Sequence, residues 1–396
     1  MYNNSVCQNV KEFIPMIYLD NAATSLKKPQ SVIDAVVNAM QQMGNAGRGS
    51  SESAMQASRI IFQTRQKIND LINGENARQI IFTHNATESL NTVIKGLFTP
   101  NDHIITTVME HNSVLRPLYE LQDQGLEITF LPMNSEGHID PMLIKHYIKD
   151  NTKAMIVTHA SNVTGNINPI KEISKVLHEH QLLCIVDASQ TMGAIPIDVQ
   201  ELNLDILCFT GHKSLLGPQG TGGIYIKPAI QINPLKSGGT GIDTFNHHQP
   251  TDYPTALEAG TLNSHGIAGL NAAVDYLNKI GIQVIRDQER QLLNYFVSKL
   301  QTIKDIQLYG SFDSKQERCG IVSINLGQID SALIVEELIE RRNIVTRGGG
   351  HCAPLMHKAL GTQEQGVVRF SLSHYTTYEE LDIVIDCLKE IIKDRH

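Results

Sequence analysis

From Ile17 onward, short β-branched or apolar runs alternate with segments of helical periodicity, and this alternation limits the fold more than any other feature of the 396-residue chain. Candidate strands span 79–83, 103–108, 127–131, 154–158, 182–187, 206–210 and 223–226. Between most of them lie apolar residues at helical spacing, such as Ile170, Ile173, Val176 and Leu177. Several strands are apolar almost throughout, as strands covered on both faces must be. The pattern predicts a mostly parallel sheet flanked by helices, with ligands beyond the carboxyl ends of its strands.

After Pro234 the pattern changes. A Gly-rich, strand-poor stretch around 237–241 leads into long helical sequence over 266–300. A smaller α+β pattern follows: strand 321–326, helix 331–341, strand 344–347, strand 367–372 and helix 378–393. Two domains fit this length at about 150 residues each. We expect a large domain over 17–263 and a smaller one built from 1–16 and 264–396.

The formal net charge is -8, and no run of Lys or Arg stands out, which argues against nucleic acid or an anionic membrane as the main partner. No apolar run approaches the roughly 20 residues that span a bilayer. Residues 1–15 are polar and lack the apolar core of a secretory signal, so a cytoplasmic protein is expected. The six cysteines (7, 184, 208, 319, 352 and 387) form no CxxC pair. Cys184 and Cys208 sit in strand-like runs and Cys387 on a helical apolar stripe, as small buried hydrophobes do. Cys7 and Cys319 carry no signal. Cys352 differs, because Gly348, Gly349, Gly350 and His351 precede it. No Cys/His spacing suggests zinc, and His178, Glu179 and His180 read as the solvated end of a helix.

Two phosphate signatures are absent. No GxGxxG follows a strand, and Gly211-His212-Lys213-Ser214 lacks the earlier glycine of a P-loop. What remains are polar residues at strand ends. Asp187 closes the run 182–186, and Lys213 follows the run 206–210. They could form a structural ion pair. They are also the lysine and acidic partner that pyridoxal phosphate requires. Thr87 and Glu88 begin a helix after strand 79–83, where free N–H groups suit an anion, though Thr87 could equally be a plain N-cap.

The ordered segments Tyr18-Leu19-Asp20-Asn21-Ala22-Ala23-Thr24, Ala86-Thr87-Glu88, Met109-Glu110-His111-Asn112, Ser161-Asn162-Val163-Thr164-Gly165, Val186-Asp187-Ala188-Ser189-Gln190, Thr210-Gly211-His212-Lys213, Glu258-Ala259-Gly260-Thr261 and 347–352 together resemble the class V aminotransferase superfamily. Within it they resemble the cysteine desulfurases, from about Ile17 to the C-terminal helix. The resemblance implies fold type I, with a large mostly parallel-sheet cofactor domain and a smaller α+β C-terminal domain. It implies pyridoxal 5'-phosphate carried on Lys213, which then moves protons on the substrate. Asp187 would pair with the ring nitrogen, and His111 would stack on the ring and assist proton transfer. Gln190 and Asn162 would approach the ring oxygen, Asn162 also facing substrate. Thr87 with Ala86, Thr210 and His212 would hold the phosphate. Thr261 would reach the phosphate of a second subunit, implying a homodimer.

Arg369 would grip the substrate carboxylate, a role its planar fork suits; without the resemblance it would read as a surface arginine. Cys352 would take sulfur from L-cysteine as a persulfide, on a mobile, solvent-reachable loop, and pass it to an acceptor protein. Gly350 replaces a bulkier residue and Leu262 a common proline, and the short 347–355 segment matches the shorter-loop branch. The rival readings are a selenocysteine lyase, a cysteine sulfinate desulfinase, a class V aminotransferase without desulfurase activity, and a non-catalytic scaffold.

Overall fold

The computed structural model describes residues 15–45, 51–313 and 316–395. Cys7 and most of the 1–16 segment lie outside the described residues. Strand β1 (Ile17–Tyr18) precedes the main sheet, which contains β2 (Ile80–Thr83), β3 (His103–Thr107), β4 (Glu127–Leu131), β5 (Thr152–Thr158), β6 (Leu183–Asp187), β7 (Ile206–Thr210) and β8 (Gly222–Ile226). Its order is β2-β8-β7-β6-β5-β3-β4. Only β8 runs against its neighbours; every other pairing within the sheet is parallel. The expected mostly parallel sheet is therefore present.

The reason the central strands read as uninterrupted apolar runs is visible in β7. Leu207 and Phe209 enter the core on one face of the sheet, while Ile206 and Cys208 enter a second core on the other. Successive side chains of a strand point to opposite faces, so a strand covered twice must be apolar at every position. Each such side chain contributes about 1.5–3 kcal/mol on burial. The register sets Thr158 of β5 level with Asp187 of β6, so these two strands end together, while Asp187 lies level with Cys208 and β7 runs on to Thr210.

The C-terminal part carries β9 (Ile306–Tyr309), β10 (Ile321–Leu326), β11 (Ile344–Val345) and β12 (Val368–Ser371). An antiparallel sheet of order β12-β10-β9 packs on Phe296, Leu388 and their neighbours, and β11 pairs in parallel with β1. Ile17 and Leu19 belong to this core, whereas Ile267, Leu270 and Val274 pack with the main sheet. The predicted helical run 266–300 is two helices, Ser264–Ile280 and Ile282–Leu300. Gly281, at φ +91°, ends the first, a conformation glycine adopts without steric cost. Strand β9 and the helix Pro354–Leu360 were not expected; both are too short to show a period.

One buried ion pair joins the helix Glu52–Leu71 to the segment before Ser264. Arg65 donates to both carboxylate oxygens of Glu258, at 2.7 and 2.8 Å, and each side chain is only 6% exposed. Glu258 Oε1 also accepts from the backbone N–H of Phe82 on β2. Glu258→Gln leaves Arg65 charged without its partner, so urea denaturation should show a loss of about 3–5 kcal/mol. Replacing both charges with apolar side chains, Arg65→Met with Glu258→Leu, should recover much of that loss. An unshifted midpoint for Glu258→Gln would contradict this role.

Candidate active site

The carboxyl ends of β5, β6 and β7 open into a cleft of about 210 Å³. Ala86, Thr87, His111, Asn162, Asp187, Gln190, Thr210, His212 and Lys213 all line it. Thr261, Arg369 and Cys352 do not. Thr261 is exposed in a separate depression with Phe62, Arg65 and Glu258.

One end of the cleft is built for an anion. The helix Ala86–Leu97 is capped by Asn85, whose side chain accepts from the Glu88 N–H at 2.9 Å. Thr87 is therefore not the cap, which settles the alternative left open by the sequence. The first N–H groups of the helix, on Ala86 and Thr87, have no intrahelical acceptor and lie at the cleft. Gly222 allows this turn to approach the sheet, since a Cβ there would lie 2.8 Å from Asn85 Cα. Thr210 Oγ1 is buried with no hydrogen-bond partner, and His212 Nδ1 lies 3.0 Å from Thr24 Oγ1. Burial, with Lys213 and Lys28 adding repulsion, pushes the His212 imidazole down to about 4.

Lys213 Nζ makes no hydrogen bond or ion pair to a described residue. Desolvation lowers its pKa to about 8; Arg369 and Arg347 push the same way, while Asp187 and Asp20 oppose. Asp187 is 4% exposed. Its Oδ1 accepts from the Ser189 N–H at 2.9 Å and from the Ser189 hydroxyl, which leaves Oδ2 for the cleft. Beneath Lys213, Ser25 Oγ donates to the carbonyls of His212 and Lys213, each at 3.0 Å, and accepts from Lys28 Nζ at 2.6 Å. Sequence reasoning missed Ser25 and Lys28, because nothing local marks a contact across the sheet.

The helix Asn112–Gln122 gathers the remaining parts. His111 is its N-cap, and its Nδ1 accepts from the Ser113 N–H at 3.0 Å. The Asn112 N–H donates to the carbonyl of Cys352 at 2.7 Å, and Asn162 Nδ2 donates to the carbonyl of His351, also at 2.7 Å. The loop bearing the cysteine thus receives one hydrogen bond at His351 and one at Cys352 itself. His351 and Cys352 both adopt positive φ, +47° and +55°. Cys352 is exposed; Cys184, Cys208 and Cys387 are buried, as expected, and so is Cys319.

Arg369 is a buried arginine, not a surface one. Its Nη2 pairs with Asp20 at 2.8 Å, its Nη1 donates to the Asn162 carbonyl at 3.0 Å, and its Nε has no partner. Glu110, also missed, is wholly buried: its Oε1 accepts from the Thr107 hydroxyl and the Thr158 N–H, its Oε2 is unpaired, and burial raises its pKa to about 8. Among the described residues no group of His, Cys, Asp and Glu could hold a metal; His178 instead bonds Asp205 at 2.8 Å.

An anion cradle, a desolvated amine facing a carboxylate, and a type I fold define a class of enzyme that works on amines. The aminotransferase class-V family matches residues 17–384, and the chain belongs to that family. It is 33% identical over 395 residues to a probable cysteine desulfurase of Methanothermobacter thermautotrophicus, covering 97% of this chain and 98% of that one. It is 36% identical over 392 residues to a cysteine desulfurase of Yersinia pestis, covering 96% and 94%. The apo structure of a cysteine desulfurase from Thermococcus onnurineus NA1 superposes with a TM-score of 0.89 at 32% identity, covering 96% of this chain and 95% of that one.

The lowered basicity of Lys213 has a measurable sign. The neutral amine is the nucleophile, and its fraction rises as pH passes through about 8. With carbonyl adducts stripped by hydroxylamine, labelling of Lys213 by an amine reagent should rise with a midpoint near 8, well below that of exposed lysines at about 10.4. A midpoint matching the exposed lysines would contradict the desolvated environment.

Proposed function

We propose that this protein is a pyridoxal-phosphate-dependent cysteine desulfurase, converting L-cysteine to L-alanine with sulfur taken onto Cys352. The observation that carries this reading is the unpaired Lys213 amine facing the free Oδ2 of Asp187 across a cleft with an anion cradle at one end. The naming of the relatives supports it.

The residues fit the cofactor. A phosphate group would satisfy the orphaned Thr210 Oγ1 and the free N–H groups of Ala86 and Thr87, with His212 beside them. Asp187 Oδ2 would hold a proton on the ring nitrogen, and His111, Gln190 and Asn162 would flank the ring. When bound, pyridoxal phosphate supplies an aldehyde for covalent linkage to amines and a ring that withdraws electrons from the substrate's α-carbon.

Lys213 Nζ would hold the cofactor and would move the proton at the substrate α-carbon, a task suited to a base near 8. Arg369, with one N–H buried and unpaired, would bind the substrate carboxylate while Asp20 holds its Nη2. Cys352 Sγ attacks the substrate sulfur: the S–S bond forms, the C–S bond breaks, and cysteine plus thiol becomes alanine plus persulfide without an external oxidant. Exposure of Cys352 suits delivery of that sulfur to an acceptor protein. Thr261, exposed and outside this chain's own cleft, fits a contact with a second copy in a homodimer. The reading includes the expected division into 17–263 and 1–16 with 264–396, and a cytoplasmic location. No helix among the described residues is long and apolar enough to cross a membrane.

Mass spectrometry after brief exposure to L-cysteine should find one added sulfur on the peptide containing Cys352. Cys352→Ala should retain cofactor yet lose alanine release by roughly two orders of magnitude. Selenocysteine turnover should fall less, because the C–Se bond breaks more readily without a thiol nucleophile. If Cys352→Ala made alanine from cysteine as fast as wild type, the role of Cys352 as sulfur acceptor would fail; if the wild-type enzyme released no alanine from cysteine, a class V aminotransferase would stand in place of the desulfurase.

A further inference from the structure

We propose that His111 works as a neutral imidazole with its single proton on Nε2, a tautomer imposed by the backbone of Ser113, and that it donates a hydrogen bond to the reacting substrate instead of removing its proton. A backbone N–H can only donate, and the N–H of Ser113 points at His111 Nδ1 from 3.0 Å. Nδ1 must then be the unprotonated nitrogen, and the proton of the neutral ring sits on Nε2. Forming an imidazolium would place a second proton on Nδ1, against the N–H that already occupies its lone pair.

The placement on the fold acts in the same direction. His111 caps the helix Asn112–Gln122, so its ring lies at the positive end of the helix dipole, where a cation is disfavoured. Lys213 from beyond β7, Arg369 of β12 and Arg116 of the same helix add like charge; Asp187 of β6 opposes them. Glu110 precedes the ring in sequence, and Cys352 is fastened to the next residue. Burial comes first among the causes, and together they bring His111 down to about 4. Nε2 makes no hydrogen bond to a described residue, and the ring lines the cleft.

Ser113 is thus a positioning residue. Its hydroxyl adds a second contact, lying 2.9 Å from Nδ1 and 2.7 Å from Thr87 Oγ1, so the ring is tied to the anion cradle. The division of labour follows. Lys213 is a base near neutrality, and His111 is a donor that stays uncharged across the working pH range. The use made of the proton rests on the proposed reaction; the tautomer does not.

The test is nitrogen NMR of [15N]histidine-labelled holoenzyme, with His111→Gln to identify the signal. His111 should show an unprotonated Nδ1 and a protonated Nε2, unchanged from pH 8 down to about 5. Ser113→Ala keeps the N–H and should keep the tautomer. Ser113→Pro removes the N–H at a first-turn position where no intrahelical bond is lost, and should raise the titration midpoint by about one pH unit. A wild-type ring protonated on Nδ1, or charged at pH 7, overturns the proposal, and needs no variant to fold. An unmoved midpoint in a folded Ser113→Pro overturns the role of Ser113. Because the spectrum is read without turnover, it can fail while cysteine desulfuration succeeds, and the reverse.

Discussion

The amine of Lys213 faces the cleft with no acceptor or counter-ion bonded to it, and the rest of the site is arranged around that condition. An ammonium in this position loses water and gains only a distant carboxylate, while Arg369 and Arg347 add like charge. The charged form is therefore disfavoured, and the amine becomes available as a nucleophile near neutrality. Such an arrangement needs a rigid support. It comes from Ser25 and Lys28, which tie the carbonyls of His212 and Lys213 to a segment near the start of the described chain. The two buried faces of β7 hold the preceding residues.

The start of the helix Asn112–Gln122 joins the other parts to this amine. Two consecutive backbone N–H groups that no helix can satisfy internally go to different partners, Asn112 to the Cys352 carbonyl and Ser113 to His111 Nδ1. One helix terminus thereby sets the height of the cysteine and the tautomer of the histidine. Positive φ at both His351 and Cys352 has a cost for residues with a Cβ, and the hydrogen bonds from Asn112 and Asn162 offset it. The backbone of the cysteine is thus hydrogen-bonded to two elements of the main domain, with its side chain exposed.

The parts of this arrangement that obey a local rule could be read from the chain. Strand β7 could be recognised because both its faces are covered, and Asp187 and Lys213 because they are polar residues that break apolar runs at strand ends. Asn85 and Thr87 are both acceptable caps within two residues of each other, and the choice between them is made by the approach of the turn to Gly222. The contacts of Ser25, Lys28 and Asp20 with His212, Lys213 and Arg369 carry no mark in the sequence, since the partners lie on distant segments; Ser113 meets His111 only two residues away, through a cap conformation that no residue pattern announces. Three glycines before His351 suggest a loose loop, yet the donors that fasten it come from the Asn112 helix and from Asn162, which no local pattern announces.

The central claim is that the unpaired Lys213 amine is the covalent anchor of pyridoxal phosphate. Borohydride reduction of the purified, yellow protein, followed by peptide mapping, tests it directly. A pyridoxyl group should be fixed on Lys213 alone. A label on any other lysine, or loss of the yellow colour on dialysis with no lysine labelled, would contradict it.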